Sequence, residues 1–142
     1  MQIQPLRPQP EFLHQNVVNN PKLILSVDDD PQLLCTRQAI LEQAGYEVLS
    51  AKDGIEALGL FRALAFDLVL LDYVMPKLYG SVVACEMKAR KPHIPIIMVS
   101  AYELLPKLIP ADMFISKGDS PAFLLQQIRQ LLSPVSPLER CA

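Results

Sequence analysis

Long apolar runs and cysteines are scarce in this chain of 142 residues. No apolar run reaches the roughly 18–20 residues that a membrane-spanning helix needs, and the first twelve residues, MQIQPLRPQPEF, lack the apolar core of a secretory signal. We therefore expect no membrane partner. The three cysteines are odd in number and lack the spacing of metal ligands, which predicts a reducing, cytoplasmic environment.

A surplus of positive charge is also missing. Thirteen Lys and Arg residues stand against 15 Asp and Glu residues, so the formal net charge is −2. Because phosphate backbones are bound by concentrated cationic surfaces, the sequence predicts no direct nucleic-acid partner. We find no Gly-rich phosphate loop and no Ser/His/Asp set. The apolar residues, at 51 %, are numerous enough to form the core of one folded domain.

The two ends differ in composition from the middle of the chain. Residues 1–21 contain four of the 13 prolines and little apolar periodicity, and residues 134–142 begin at a proline. Both segments are predicted to be flexible tails, because neither can bury enough apolar surface to become ordered. The folded domain is expected over residues 22–133, with no output domain attached.

Between these ends, short apolar runs alternate with stretches of helical periodicity. The runs are KLILSV (22–27), YEVLS (46–50), DLVLL (67–71), IPIIMV (94–99) and DMFI (112–115). Strands separated by helices predict an α/β fold with a parallel sheet covered on both faces. Only 11 residues, including Pro106 and Pro110, separate Ser100 from Asp112. That connection predicts a single helical turn or an irregular segment instead of a full helix.

Polar residues follow several of these runs, at the sheet edge where open α/β sheets bind ligands. They are Asp28, Asp29 and Asp30 after the first run, Asp72 after the third, Ser100 after the fourth, and Ser116 and Lys117 after the fifth. Asp30 precedes a proline and is better explained as a helix N-cap. Two carboxylates about 4 Å apart repel by roughly 4 kcal/mol at an effective dielectric constant near 20, so the cluster calls for a cation. Mg²⁺ suits such an all-oxygen site.

An ionised aspartate beside such a cation can attack a phosphoryl group and form an acyl phosphate. Lys117 and the Ser100 hydroxyl would then bind the phosphoryl oxygens. Aspartates at strand ends also commonly cap turns and helices, and Asp72 alone would be read that way. Its combination with Asp28, Asp29 and Lys117 favours phosphoryl acceptance at Asp72.

Four segments carry a family resemblance. LILSVDDDP, DLVLLDYVMPKLYG, IPIIMVSAY and FISK resemble the signature segments of response-regulator receiver domains, the phospho-acceptors of two-component signalling. The resemblance covers roughly residues 22–133. It implies a flavodoxin-like, doubly wound, five-stranded parallel sheet in the order 2-1-3-4-5, here with a fourth helix that is short or missing.

The resemblance also implies roles for individual residues. Asp72 would be the phosphorylated aspartate, Ser100 the switch hydroxyl and Lys117 the lysine that faces the phosphoryl group. Mg²⁺ would be held by Asp28, Asp29, Asp72 and the backbone carbonyl of Val74. The phosphodonor would be a sensor histidine kinase or a phosphotransfer protein, and an unknown downstream protein would receive the signal. Such a domain is not an enzyme and would show at most slow autodephosphorylation.

Three positions depart from the family pattern. Gly118 follows the lysine where proline is usual, Phe114 stands where tyrosine is common, and Tyr79 stands where an aspartate often precedes glycine. Gly118 and the short connection between the fourth and fifth strands, which Pro106 and Pro110 interrupt, leave open a receiver-like scaffold that signals through constitutive contacts. A haloacid-dehalogenase-like phosphatase is disfavoured, because it needs a second aspartate where Val74 stands. Cys35 and Cys85 are predicted to be small apolar fillers on helices, and Cys141 to be an exposed thiol.

Overall fold

The computed structural model describes residues 20–101 and 109–133. The predicted tails, apart from residues 20 and 21, lie outside the described residues, and so does Cys141. Residues 102–108, which make up most of the connection between the fourth and fifth strands, also lie outside them. The domain boundaries and the nature of that connection stay predictions.

Five strands form one parallel sheet. They are β1 (Leu23–Val27), β2 (Glu47–Ala51), β3 (Leu68–Asp72), β4 (Ile96–Ser100) and β5 (Met113–Ser116). Their order is β2-β1-β3-β4-β5, and every neighbouring pair is parallel. The predicted doubly wound sheet in the order 2-1-3-4-5 is therefore confirmed.

The described part of the chain contains four helices, which cover both faces of the sheet. They are α1 (Pro31–Gln43), α2 (Gly54–Ala63), α3 (Gly80–Arg90) and α4 (Pro121–Leu132). On one face, Phe61 of α2 and Met87 of α3 pack against the sheet. On the other face, Leu41 of α1 and Ile128 of α4 form a second apolar cluster. Strands β3 and β4 are buried throughout because both of their faces are covered, which explains their nearly continuous apolar sequences.

Side-chain caps start three of these helices. The Asp30 carboxylate accepts hydrogen bonds from the backbone N–H groups of Gln32 (3.0 Å) and Leu33 (3.4 Å), so its predicted capping role is confirmed. Asp53 caps α2, and Ser120 caps α4. At the end of α1, Gly45 adopts a φ of 100°, the left-handed conformation that glycine tolerates best.

Strands β3 and β4 each extend one residue further toward their carboxyl ends than the apolar runs indicate. The sheet pairs backbone groups, so it continues through the polar residues Asp72, which pairs with Val99, and Ser100, which pairs with Ser116. Asp67 was predicted to open the third strand but lies just before it. Its carboxylate accepts the backbone N–H of Leu23 at 2.8 Å.

Helices α1 and α3 carry Cys35 and Cys85. Cys35 and Cys85 are exposed, so the prediction that they fill the core was wrong. Each cysteine lies next to the buried stripe of its helix: α1 buries Leu34 and Arg37, and α3 buries Ala84 and Met87. Among the helices that the structure describes, none is long and apolar enough to span a bilayer.

Candidate acidic phospho-acceptor site

The strand register brings the predicted site residues to one edge of the sheet. Val27 of β1 pairs with Leu71 of β3. The next residue after each of them, Asp28 and Asp72 respectively, therefore lies at the same edge of the sheet. Asp28 is held there by a hydrogen bond from its backbone N–H to the Ala51 carbonyl, at 3.1 Å. On the other side of β3, the backbone N–H of Lys117 donates to the Ser100 carbonyl at 2.8 Å.

Three carboxylates meet at this edge. One oxygen from each of Asp28, Asp29 and Asp72 lies within 4.8 Å of the others. Asp28 is fully buried and Asp72 is 2 % exposed, whereas Asp29 is exposed to solvent. The structure thus brings together all three acids that the sequence analysis selected as metal ligands.

Lys117 places a cation against two of these acids. Its Nζ atom lies 3.2 Å from Oδ2 of Asp72 and 3.2 Å from Oδ2 of Asp28. The approach to Asp72 is a hydrogen bond, whereas Oδ2 of Asp28 is buried without a hydrogen-bond partner in the described structure. The other oxygen of Asp28 accepts the backbone N–H of Asp30 at 3.0 Å. Oδ2 of Asp28 is therefore a buried oxygen that lies beside the Lys117 ammonium group and has no hydrogen-bond partner among the described residues.

Burial and charge act together on Asp72. Burial raises the pKa of its carboxyl group to about 6, and the neighbouring Asp28 charge contributes in the same direction. Lys117 and the Val74 backbone N–H oppose this increase by bonding to the ionised form. Burial lowers the pKa of Lys117, but the facing Asp72 and Asp28 carboxylates outweigh it and leave that pKa raised. The lysine is therefore a permanent cation of the site at neutral pH.

The two remaining predicted residues lie beside this cluster. Ser100 is 2 % exposed and ends β4, where it pairs with Ser116, the residue before Lys117. Val74 follows β3, and its side chain is 41 % exposed. Its hydrogen bond to Asp72 places the Val74 backbone against the acceptor carboxylate.

Arg37 belongs to the same environment and was not selected from the sequence. Its side chain is 8 % exposed, and its Nη2 atom lies 3.8 Å from Oδ2 of Asp28. Its Nη1 atom is buried without a hydrogen-bond partner in the described structure. Burial lowers the pKa of Arg37, while Asp28 and Asp72 act in the opposite direction. The available signal was a single arginine between Leu34 and Leu41 on the apolar stripe of α1.

Gly80 fixes the loop that follows Asp72. A Cβ atom at this position would lie 2.3 Å from the Asp72 carbonyl oxygen and 2.9 Å from Cα of Tyr73. The Gly80 backbone N–H donates to the Tyr73 carbonyl at 2.7 Å. The start of α3 thus packs directly on the backbone of the acceptor residue, and only glycine leaves room for that contact.

The loop after β5 is held together without the proline that the family usually has. The Asp119 carboxylate accepts the Ser116 backbone N–H at 2.9 Å, and the Gly118 backbone N–H donates to Ser116 Oγ at 3.2 Å. These bonds position Lys117 locally. Phe114, at the other noted departure, lies on β5 and is 45 % exposed.

The residues present fit a hard divalent cation. Three carboxylates offer oxygen ligands, and the unpartnered Oδ2 atom of Asp28 lies among them. Oxygen donors of this kind, together with water, are what Mg²⁺ prefers. The arrangement can therefore bring a metal ion, a nucleophilic carboxylate and an ammonium group to one point.

Comparison with known families identifies the class of protein. The family model of the response regulator receiver domain matches residues 24–129. The chain therefore belongs to the receiver-domain family, the phosphoryl-accepting modules of two-component systems. Receiver domains bind Mg²⁺ at an acidic pocket, and this chain has the corresponding cluster of aspartates.

Particular relatives sharpen this assignment. The probable transcriptional regulator ycf27 of Cyanophora paradoxa is 40 % identical over 118 residues, which cover 80 % of this chain and 49 % of that protein. The alkaline phosphatase synthesis transcriptional regulatory protein PhoP of Bacillus subtilis is 34 % identical over 116 residues, which cover 78 % of this chain and 48 % of PhoP. The chain thus spans about half the length of these relatives.

Solved structures of response regulators also resemble this chain. The response regulator TrrA of Thermotoga maritima, in complex with Mg²⁺ and BeF, has a TM-score of 0.75 and 35 % identity, and the match covers 78 % of this chain and 99 % of TrrA. TrrA in complex with the histidine kinase ThkA gives a TM-score of 0.74, again at 35 % identity, and the match covers 79 % of this chain and 99 % of TrrA.

Because the curated relatives are named transcriptional regulators, the comparisons do not support the prediction that nucleic acid is absent from the partners.

Proposed function

We propose that Asp72 accepts the phosphoryl group, from a sensor histidine kinase or a phosphotransfer protein. Asp28, Asp29, Asp72 and the Val74 carbonyl are the proposed ligands of Mg²⁺. The observation that carries this proposal is the side-by-side burial of the Asp28 and Asp72 carboxylates, both 3.2 Å from the same ammonium group. The complex of the related TrrA with a histidine kinase supports the choice of donor.

The transfer uses the ionised form of Asp72. With a pKa of about 6, roughly nine-tenths of this carboxyl group is ionised at pH 7. One carboxylate oxygen attacks phosphorus, the bond from phosphorus to the donor histidine nitrogen breaks, and that nitrogen leaves with the electron pair. When bound, Mg²⁺ would offset the combined negative charge of the carboxylates and the phosphoryl group.

Lys117 and Ser100 act on the product. Before transfer, Lys117 donates to Asp72, and after it the same ammonium group neutralises a phosphoryl oxygen. Ser100, on the neighbouring strand, donates its hydroxyl to another phosphoryl oxygen. The new bonds draw the ends of β4 and β5 toward Asp72, which is how the chain converts phosphorylation into a conformational change.

We also propose that the acyl phosphate hydrolyses slowly. A phosphatase of the haloacid-dehalogenase type would place a second acid two residues after the nucleophile, but Val74 supplies only a hydrocarbon side chain there. The proposed location is the cytoplasm, where kinase and receiver would meet. The downstream partner is proposed to be a protein that responds to the phosphorylated state.

Intact-mass spectrometry with a small phosphodonor tests the acceptor assignment. With acetyl phosphate and Mg²⁺, we expect one added phosphoryl group on the wild type and none on Asp72→Asn. Asp67→Asn is the matched control, because Asp67 lies at the other end of β3, and it should be phosphorylated as the wild type is. Phosphoryl incorporation that persists in Asp72→Asn would contradict the proposal.

One departure favours a second candidate, a receiver-like scaffold with constitutive contacts. Phe114 is 45 % exposed and has no hydroxyl group that could bond toward Ser100. Amide NMR separates the two candidates when beryllofluoride, a phosphoryl mimic, is added with Mg²⁺. A switching receiver shows shifts in β4, β5 and α4, whereas a scaffold shows shifts only around the bound mimic.

A further inference from the structure

Arg37 occupies a costly position. It lies between Leu34 and Leu41 on the buried stripe of α1, where an apolar side chain would pack without penalty. Removing a guanidinium group from water costs several kcal/mol unless hydrogen bonds and an opposite charge compensate it. Such compensation is incomplete here, because Nη1 of Arg37 is buried and unpartnered among the described residues.

The contact between Arg37 and Asp28 is not a closed ion pair. Nη2 of Arg37 lies 3.8 Å from Oδ2 of Asp28, which is beyond hydrogen-bonding distance. Away from the acidic cluster, Lys88 contacts Asp112 at 2.7 Å, so the contact between Arg37 and Asp28 is long in comparison with another ion pair of the same chain. Nη1 of Arg37 and Oδ2 of Asp28 are thus both buried without a hydrogen-bond partner among the described residues, and Oδ2 of Asp28 also lies 3.2 Å from Nζ of Lys117.

We propose that Arg37 is a built-in counterion of Asp28 that opposes Mg²⁺ binding in the unphosphorylated site and thereby couples metal binding to the phosphoryl group. This inference rests on the proposed function of the same site. Arg37 acts here as a positioning residue, since it works through Asp28 and not through contact with phosphorus.

A count of charges gives the physical reason. Among the described residues, the three clustered carboxylates are accompanied by two cations that contact them, Lys117 and Arg37, which leaves one net negative charge. A divalent cation alone turns this into a positive charge, which is unfavourable in a buried site. Phosphorylation of Asp72 adds about one further negative charge and brings the metal-loaded site close to neutrality. Without Arg37, the metal alone would neutralise the site and the phosphoryl group would unbalance it.

Calorimetric titration with Mg²⁺, in the presence and absence of beryllofluoride, tests this inference on the full chain. Arg37→Met keeps the length of the apolar stem and removes the charge, whereas Arg37→Lys keeps the charge. Without the mimic, Arg37→Met should bind Mg²⁺ roughly three- to tenfold more tightly than the wild type. With the mimic, that advantage should shrink or reverse. Arg37→Lys should stay within about twofold of the wild type.

Arg62→Met is the matched control for net charge, because Arg62 lies in the exposed last turn of α2. It should leave Mg²⁺ affinity unchanged. If Arg37→Met leaves the affinity unchanged, or if Arg37→Lys raises it as much as Arg37→Met does, the inference is wrong. A wild type that binds no Mg²⁺ overturns both this inference and the proposed metal site, whereas binding that is insensitive to Arg37 overturns this inference alone.

A measurement on the wild type covers the case in which Arg37→Met does not fold. The side-chain Nε–H signals of Arg37 and Arg62 can be followed by NMR during the same titration. The Arg37 signal should move on Mg²⁺ addition and the Arg62 signal should not. An Arg37 signal that stays in place at metal saturation contradicts the inference.

Discussion

The two ends of the same sheet use aspartate in opposite ways. At the amino end, Asp67 accepts the Leu23 backbone N–H at 2.8 Å, and Asp112 accepts the Ile96 N–H at 2.8 Å and Lys88 at 2.7 Å. At the carboxyl end, Asp28 and Asp72 are buried beside each other and share one lysine. The acids at the first end accept hydrogen bonds that connect parts of the chain, whereas the acids at the second end place negative charges next to each other.

This difference teaches how a structural carboxylate can be told from a functional one. Asp67 and Asp112 both accept backbone N–H groups of the chain, and Asp112 is also paired with Lys88. Asp28 keeps an oxygen without a hydrogen-bond partner in the described structure, and burial raises the pKa of Asp72. This difference among the described residues supports the proposal that the carboxyl end is the place of binding.

The largest expected effect is at the amino end. Asp112→Ala removes the acceptor of a partly buried backbone N–H and of Lys88, so it should lower the free energy of unfolding by about 2–3 kcal/mol. Urea denaturation followed by circular dichroism measures this. A loss below about 0.5 kcal/mol would mean that Asp112 is not a structural acid, and the contrast between the two ends would fail.

The next effect concerns pH and has the opposite sign. Because the pKa of Asp72 is raised to about 6 in the folded chain, the folded state holds that proton more tightly than the unfolded state does. The protonated carboxyl therefore stabilises the fold at low pH, and this stability is lost as pH rises from about 4 through 6. In metal-free buffer, the wild type should lose about 2 kcal/mol relative to Asp72→Asn between pH 4 and pH 7. Parallel pH profiles for the two proteins would contradict this.

A further test replaces one lysine at each end of the sheet by methionine. Lys117 lowers the pKa of Asp72 by stabilising its ionised form, so Lys117→Met should raise that pKa above about 6. The carboxyl-carbon NMR signal of Asp72 reports the change. Lys88→Met is the control at the amino end, where the lysine contacts Asp112 and not the acidic site. A pKa for Asp72 that does not change in Lys117→Met would show that the ammonium group is a bystander.

The smallest effect on stability is expected at Asp29. Its side chain is exposed, so Asp29→Asn should change the free energy of unfolding by less than about 0.5 kcal/mol. The same variant should weaken Mg²⁺ binding, because one of three carboxylates is lost. Calorimetric titration and urea denaturation together make the test, and unchanged Mg²⁺ affinity would remove Asp29 from the proposed ligands.

The sequence predicted the cluster of acids because its members follow the ends of strands. Once β1 and β3 are placed next to each other, Asp28 and Asp72 must meet, and no knowledge of side-chain packing is needed. The family resemblance supplied the order of the strands. The strand bounds were less well predicted, because backbone pairing continues into polar residues such as Asp72 and Ser100.

Arg37 and the cysteines were harder for a physical reason. Periodicity indicates which side of a helix is buried. It does not reveal that a charged residue on that side lies near a carboxylate at the end of a strand. Arg37 therefore became visible only when α1 was seen against Asp28. The prediction for Cys35 was wrong for the opposite reason. This side chain is small and apolar enough for a core, but it lies one residue outside the buried stripe of α1.

The exposure of Cys35 and Cys85 has a practical consequence. These thiols lie on α1 and α3, which cover opposite faces of the sheet. Once Cys141 has been replaced, they offer natural attachment points for a pair of spin labels, with no new cysteine to be introduced. The distance between the labels would then follow the relative displacement of the two helical layers when the acceptor is loaded.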